Sequence, residues 1–170
     1  MFTPGEKIHV AVDVGGERSA SAVAWVNEQL HVGCAIFEGD QGVLDCIDMV
    51  RDLAGQYQVA EVIYDPWRFG QAAHELEVEG LVMEVFPQND TRMVPASNTL
   101  HATITEQRIT LPDDPRLARH APDAIARHAR RGWRIDKPNA HTHNDAIIAL
   151  CMAVERAENP PEPVRLLGWV

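Results

Sequence analysis

Apolar positions in the first ninety residues switch between continuous runs and helical spacing. "KIHVAVDV" (7–14) is almost uninterrupted, the pattern of a strand buried on both faces. "SASAVAWVN" (19–27) and "LHVGCAIFE" (30–38) follow as two more strands, with Asn27, Glu28 and Gln29 as a tight turn between them. Three strands with short links predict an antiparallel meander. In "QGVLDCIDMVRDLAGQY" (41–57), Val43, Leu44, Ile47, Val50 and Leu53 recur at helical spacing, and Gly55 stands near the stop. A short strand over 60–66, a helix over 69–80 closed by Gly80, and a fifth strand over 81–87 complete this half.

The second half is more helical in pattern. The spacing predicts a helix over 91–107, with Pro95 in its first turn or marking its start, then a short extended "RITLP". Residues 114–131 read as a helix interrupted near Pro122, and "WRIDKP" (133–138) as extended chain. "THNDAIIALCMAVERA" (142–157) is the clearest helix, with Ile147, Leu150, Cys151 and Val154 on one face. The order β-β-β-α-β-α-β and then helices predicts an α/β fold: one mixed five-stranded sheet, three antiparallel strands leading into βαβ units, with helices on both faces. Residues 1–157 form one domain in this reading, followed by a Pro-rich tail over 158–170.

Composition narrows the class. At 45% apolar and 24% charged, the 170 residues are those of an ordinary globular protein. No apolar run approaches the roughly 18 to 20 residues that span a bilayer, and the start lacks the pattern of a signal peptide. Cys34, Cys46 and Cys151 are widely spaced with no CxxC pair, so a reduced, cytoplasmic setting is expected and a thiolate zinc site is not. The net charge of −10 argues against a polyanionic partner, but it is unevenly spread. Residues 1–90 hold 4 basic and 16 acidic side chains, whereas 108–137 hold eight basic and four acidic.

Asp13 sits inside an apolar strand, where an ionised carboxylate is costly unless it is paired or holds a metal. Asp65, in "VIYDPW", again ends an apolar strand, and Asp145 lies in the first turn of the last strong helix. Singly, each has an ordinary explanation as turn former or helix-dipole partner. Together they suggest more. In this element order strands 1 and 4 can be neighbours, so Asp13 and Asp65 can lie side by side. A divalent cation relieves the repulsion between adjacent carboxylates, and hard oxygen donors select Mg²⁺ or Mn²⁺.

"VAVDVGG", "VIYDPW" with its following helix, "GLVMEVFPQ", "RLARHAPDAIARHARRGWRIDK" and "HNDAIIALCMAVERA" span residues 8–157. This set resembles the ribonuclease H-like nuclease domain of tailed-phage terminase large subunits. The resemblance implies metal-dependent cleavage of double-stranded DNA, with Asp13, Asp65 and Asp145 as catalytic ligands of two Mg²⁺ or Mn²⁺ ions. Asp13 is the bridging ligand in that arrangement, and Asp65 and Asp145 each complete the shell of one ion. It further implies a packaging ATPase domain, a small terminase subunit and a portal as partners, in the cytoplasm of an infected or lysogenic bacterial host. The chain departs from a full large subunit in having no GxxxxGK[ST] phosphate loop.

His141 and His143 are candidates to hydrogen-bond a carboxylate or the attacking water. His141 shares a face with Asp145 if the helix begins that early. Lys137, Arg130 and Arg131 are candidate phosphate contacts, which position DNA without reading its sequence. Trp25, Trp67, Trp133 and Trp169 are able to stack on bases, but a duplex hides its bases, so core packing is their expected use. The alternatives are a Holliday-junction-resolvase-like nuclease of the same fold and a catalytically inactive docking module.

Overall fold

The computed structural model describes residues 1–16, 19–139 and 142–161. β1 (Lys7–Asp13), β2 (Ser21–Asn27) and β3 (Val32–Phe37) form the expected meander; α1 (Gly42–Gln56), β4 (Gln58–Tyr64), α2 (Pro66–Val78) and β5 (Met83–Val85) follow. The sheet order is β3-β2-β1-β4-β5, antiparallel through β3, β2 and β1 and parallel through β1, β4 and β5. The fold is thus the mixed five-stranded sheet that the sequence predicts. β1 and β4 are neighbours at its centre, and both are buried because helices cover both faces.

Strand alternation assigns the faces. Ile8, Val10, Val12, Val62 and Tyr64 join the cluster under α1 and α2, while Ala11 and Ile63 join the cluster under α3 (Asp90–Thr105) and α5 (Asp145–Glu158). By the same period His9, Asp13 and Glu61 belong to the α5 face. The β1–β4 register slips between Ile8 and His9, which pair with Val59 and Glu61, so β4 carries one extra residue there. Beyond the slip Val12 pairs with Tyr64, and one further step sets Asp13 level with Asp65. Without that bulge Asp13 would lie level with Tyr64.

Three expectations are corrected. Asn89 caps α3 by accepting from the Arg92 amide at 3.1 Å, and the helix starts at Asp90, which puts Pro95 in the second turn. The stretch 114–131 is not a kinked helix. It forms the short α4 (Pro115–His120) and then β6 (Ile125–Ala129), which pairs antiparallel with β7 (Gly132–Asp136). The Ala and Arg residues of "IARHAR" are good helix formers, but pairing with "GWRID" overrides local propensity. Gly132 closes the hairpin at φ +140°, which a side chain would resist. Finally, α5 starts at Asp145, so His143 precedes it.

Candidate active site

Each acidic position is set by a different local device. Asp13 ends the central strand β1, and the chain turns away through Val14, Gly15 and Gly16. A Cβ on Gly15 would meet the Ala20 carbonyl oxygen at 2.1 Å, so the close return of the chain requires glycine. Asp65 is the N-cap of α2: its Oδ1 accepts from the Trp67 amide at 2.8 Å, with Pro66 at the first helical position. Asp145 occupies the first turn of α5, after Asn144.

Asp13, Asp65 and Asp145 line one cavity of about 290 Å³, together with Gln88, Arg134, Asp136, Lys137 and Asn144. Gln88 ties two of the carboxylates together. Its side-chain Nε2 donates to Asp13 Oδ1 at 2.7 Å and its amide donates to Asp65 Oδ2 at 3.1 Å. Arg134 Nη1 in turn donates to the Gln88 carbonyl at 2.8 Å.

Asp13 and Asp145 are only 7% and 3% exposed. Burial, then the Asp145 charge, pushes the Asp13 carboxyl up to about 7; Asp65 adds to this, while the Gln88 hydrogen bond and Lys137 oppose it. Burial also raises Asp145, against the pull of Lys137. Asp145 Oδ2 and Asn144 Nδ2 are buried without a hydrogen-bond partner. Such groups are costly in a folded protein and mark strain held for function or a missing ligand. Among the described residues no three His, Cys, Asp or Glu side chains close on a single point as a metal cage. The three carboxylates share the lining of one cavity instead.

The other candidates divide. Lys137 lines the acidic cavity. Arg130 and Arg131 form the exposed tip of the β6–β7 hairpin and border a separate depression with Asp90, Thr91, Val94 and Pro95. His143 accepts from the Ala20 amide at 3.3 Å through Nδ1 and lines a neighbouring cavity with His120, Arg116 and Arg119. His141 lies outside the described residues, as do 162–170 and hence Trp169. Sequence reasoning overlooked Gln88 and Arg134. The signal for Gln88 was its place just after a short strand, the same position that drew attention to Asp65. Core packing holds for Trp25, half-buried against Phe2, but not for Trp67, which is 62% exposed at the cavity.

A mixed sheet in this order, with helices on both faces, is the ribonuclease H-like fold. The family model described as the terminase large subunit, endonuclease domain, matches residues 18–160, and the chain belongs to that family. The fold is similar to that of the HK97 bacteriophage large terminase (TM-score 0.75, 18% identity), covering 90% of this chain and 40% of that one. It is also similar to the large terminase nuclease of thermophilic phage G20c with bound magnesium (TM-score 0.72, 18% identity, 91% and 84% of the two chains). The Thermus phage P74-26 large terminase nuclease domain gives a TM-score of 0.72 at 16% identity, over 94% and 85%. No curated protein matches the chain. This chain therefore spans well under half the length of the HK97 large terminase.

Proposed function

We propose that this domain is a divalent-metal-dependent endonuclease that cuts double-stranded DNA during phage genome packaging. The observation that carries the reading is the convergence of Asp13, Asp65 and Asp145 on one cavity in which Asp145 Oδ2 is buried and unpartnered. Two desolvated carboxylates, with a Gln88 hydrogen bond on Asp13 and the Lys137 charge nearby, fit a cation better than a neutral ligand. Structures of the related G20c nuclease with magnesium, cobalt and zinc support the same reading.

Asp13, Asp65 and Asp145 would hold two Mg²⁺ or Mn²⁺ ions. Bound there, the ions would supply Lewis acidity at the scissile phosphate and lower the pKa of the attacking water. The chain's own residues do the positioning. Gln88 fixes the Asp13 carboxylate through its side chain and Asp65 through its amide. Lys137 places a positive charge at the cavity for a phosphate oxygen, and Arg130 and Arg131 offer a further phosphate contact from the hairpin tip. The products would carry 5′-phosphate and 3′-hydroxyl ends. The partners in this reading are a packaging ATPase domain, a small terminase subunit and a portal, in the cytoplasm of a bacterial host.

Incubation with supercoiled plasmid and Mn²⁺ or Mg²⁺ is expected to give nicked and linear DNA, and none with chelator present. Preferential cutting of a four-way junction over linear duplex would reassign the domain as a resolvase. No cutting, together with a melting temperature that Mn²⁺ leaves unchanged, would mark an inactive docking module.

DNA binding is expected to be weak and steeply salt-dependent, because the net charge of −10 opposes it and only a few cations engage phosphates. Titrations between about 50 and 200 mM salt should show affinity falling by at least tenfold. Affinity that stays constant over that range would refute phosphate contact by Lys137, Arg130 and Arg131.

A further inference from the structure

We propose that Trp67 is a base-stacking residue that engages the DNA at the step being cut, an inference that rests on the nuclease reading above. The Asp65 side chain caps α2 and Pro66 stands at its first position, a start from which a helix ordinarily runs on unbroken. The backbone does otherwise. Trp67 adopts φ −66° and ψ 119°, and Arg68 adopts φ +68°, a left-handed conformation that a side-chain-bearing residue avoids. The detour has two results. Phe69, two residues on, takes the core position at 1% exposure against Tyr64, while Trp67 is turned out to 62% exposure at the cavity that holds Asp13, Asp65 and Asp145.

The indole is braced as well as exposed. The Arg68 guanidinium carbon lies 4.8 Å from the ring centroid, and Arg68 Nη1 donates to the Gly15 carbonyl at 3.3 Å, which anchors the pair to the loop after β1. One ring face is thus backed by a cation and tied to the strand carrying Asp13. The other remains as a flat apolar surface. Seating Phe69 in the core accounts for the detour in part, but exposing a tryptophan beside the carboxylates is a cost the fold alone does not explain. The indole's partner has to be apolar, flat and next to the scissile phosphate. A nucleobase meets all three requirements. Every base has a π face, so such a contact tolerates sequence. A duplex hides that face, so the contact requires partial unstacking at the cut step, least costly at flexible pyrimidine–purine steps.

The test compares wild type, Trp67→Ala and Trp67→Phe on a perfect duplex and on the same duplex with a two-base mismatch. Cut positions are mapped with Mn²⁺, and affinity is measured in chelator. Wild type is expected to favour the mismatch and pyrimidine–purine steps. Trp67→Ala should lose roughly 5- to 150-fold in affinity for the mismatched duplex and lose the step preference. The contact carries no charge, so the slope of log affinity against log salt should not change. Trp67→Phe, which keeps an aromatic face, should retain most of the affinity and the preference. An alanine variant with wild-type affinity and an unchanged cut pattern would overturn the proposal, and so would a phenylalanine variant as impaired as alanine. Wild type that binds in chelator but never cuts would count against the nuclease reading, while the alanine-to-wild-type affinity ratio would still decide the role of Trp67.

Discussion

Asp13→Asn is expected to abolish plasmid cleavage and to raise the melting temperature of the metal-free domain at pH 8. Asparagine preserves the shape of the carboxylate and can still accept from Gln88 Nε2, which sits 2.7 Å from Asp13 Oδ1. It removes the charge. In the folded protein burial, and then the Asp145 and Asp65 charges, hold the Asp13 carboxyl near 7, against 3.8 for an ordinary aspartate. An acid whose folded pKa is raised stabilises the fold below its unfolded pKa, and this contribution is lost as pH rises through the folded value. Between pH 4 and pH 8 the wild type should therefore shed stability on the order of a few kcal/mol that the asparagine variant keeps. Melts of both proteins in chelator should coincide near pH 4 and separate progressively toward pH 8, the variant higher. A structural aspartate with a buried cationic partner would behave the opposite way, its loss costing about 3–5 kcal/mol. An asparagine variant that melts lower at pH 8, or still cuts DNA, would remove Asp13 from the site.

What the sequence disclosed about this site follows from which forces are local. An apolar strand interrupted by aspartate is visible at Asp13 and Asp65 because burying a charge is costly wherever the strand lies. The adjacency of β1 and β4 followed from element order. The level of the two residues did not, because it depends on the one-residue slip opposite Ile8 and His9, which no pattern of apolar positions marks. Gln88 escaped for a related reason. Its amide and side chain reach two different carboxylates only after β5 has docked beside β4. β7 falls in the stretch read as extended, but β6 falls in the stretch read as helix: its alanines and arginines carry helical propensity, and its strand pairing is decided by the neighbour across the turn. Trp67 was assigned to the core because a duplex hides the bases it could stack on. The left-handed Arg68 that turns it outward is a backbone choice, invisible in residue types.

Arg156→Leu is expected to lower the melting temperature by roughly 6–20 °C while leaving cleavage intact at a temperature where the variant is folded. At the other end of the α5 face from Asp13 and Asp65, the same two strands present His9 and Glu61, both buried. There the charge is satisfied. His9 Nδ1 lies 3.0 Å from Glu61 Oε1, and Arg156 of α5 donates through Nε to Oε1 at 2.9 Å and through Nη2 to Oε2. Burial acts to raise the Glu61 carboxyl, but the His9 and Arg156 bonds outweigh it and hold the group near 2. Its contribution to stability is present above the ordinary glutamate value of 4.5 and is lost as pH falls through about 2. Leucine at 156 leaves the glutamate desolvated with His9 alone, a change that typically costs 3–5 kcal/mol, or roughly 2–4 °C per kcal/mol in a chain of this length. Without the guanidinium the Glu61 carboxyl should take up a proton at higher pH than in the wild type, so the stability gap should narrow as pH falls. Adding Glu61→Leu to the variant should recover part of the loss, because the buried charge is gone although His9 is left without its partner. Asp145 lies eleven residues away on the same helix, about 16 Å at 1.5 Å per residue, so the plasmid assay at low temperature should return the wild-type rate. A large loss of cleavage in a folded Arg156→Leu protein would instead mean that this end of α5 sets the position of Asp145.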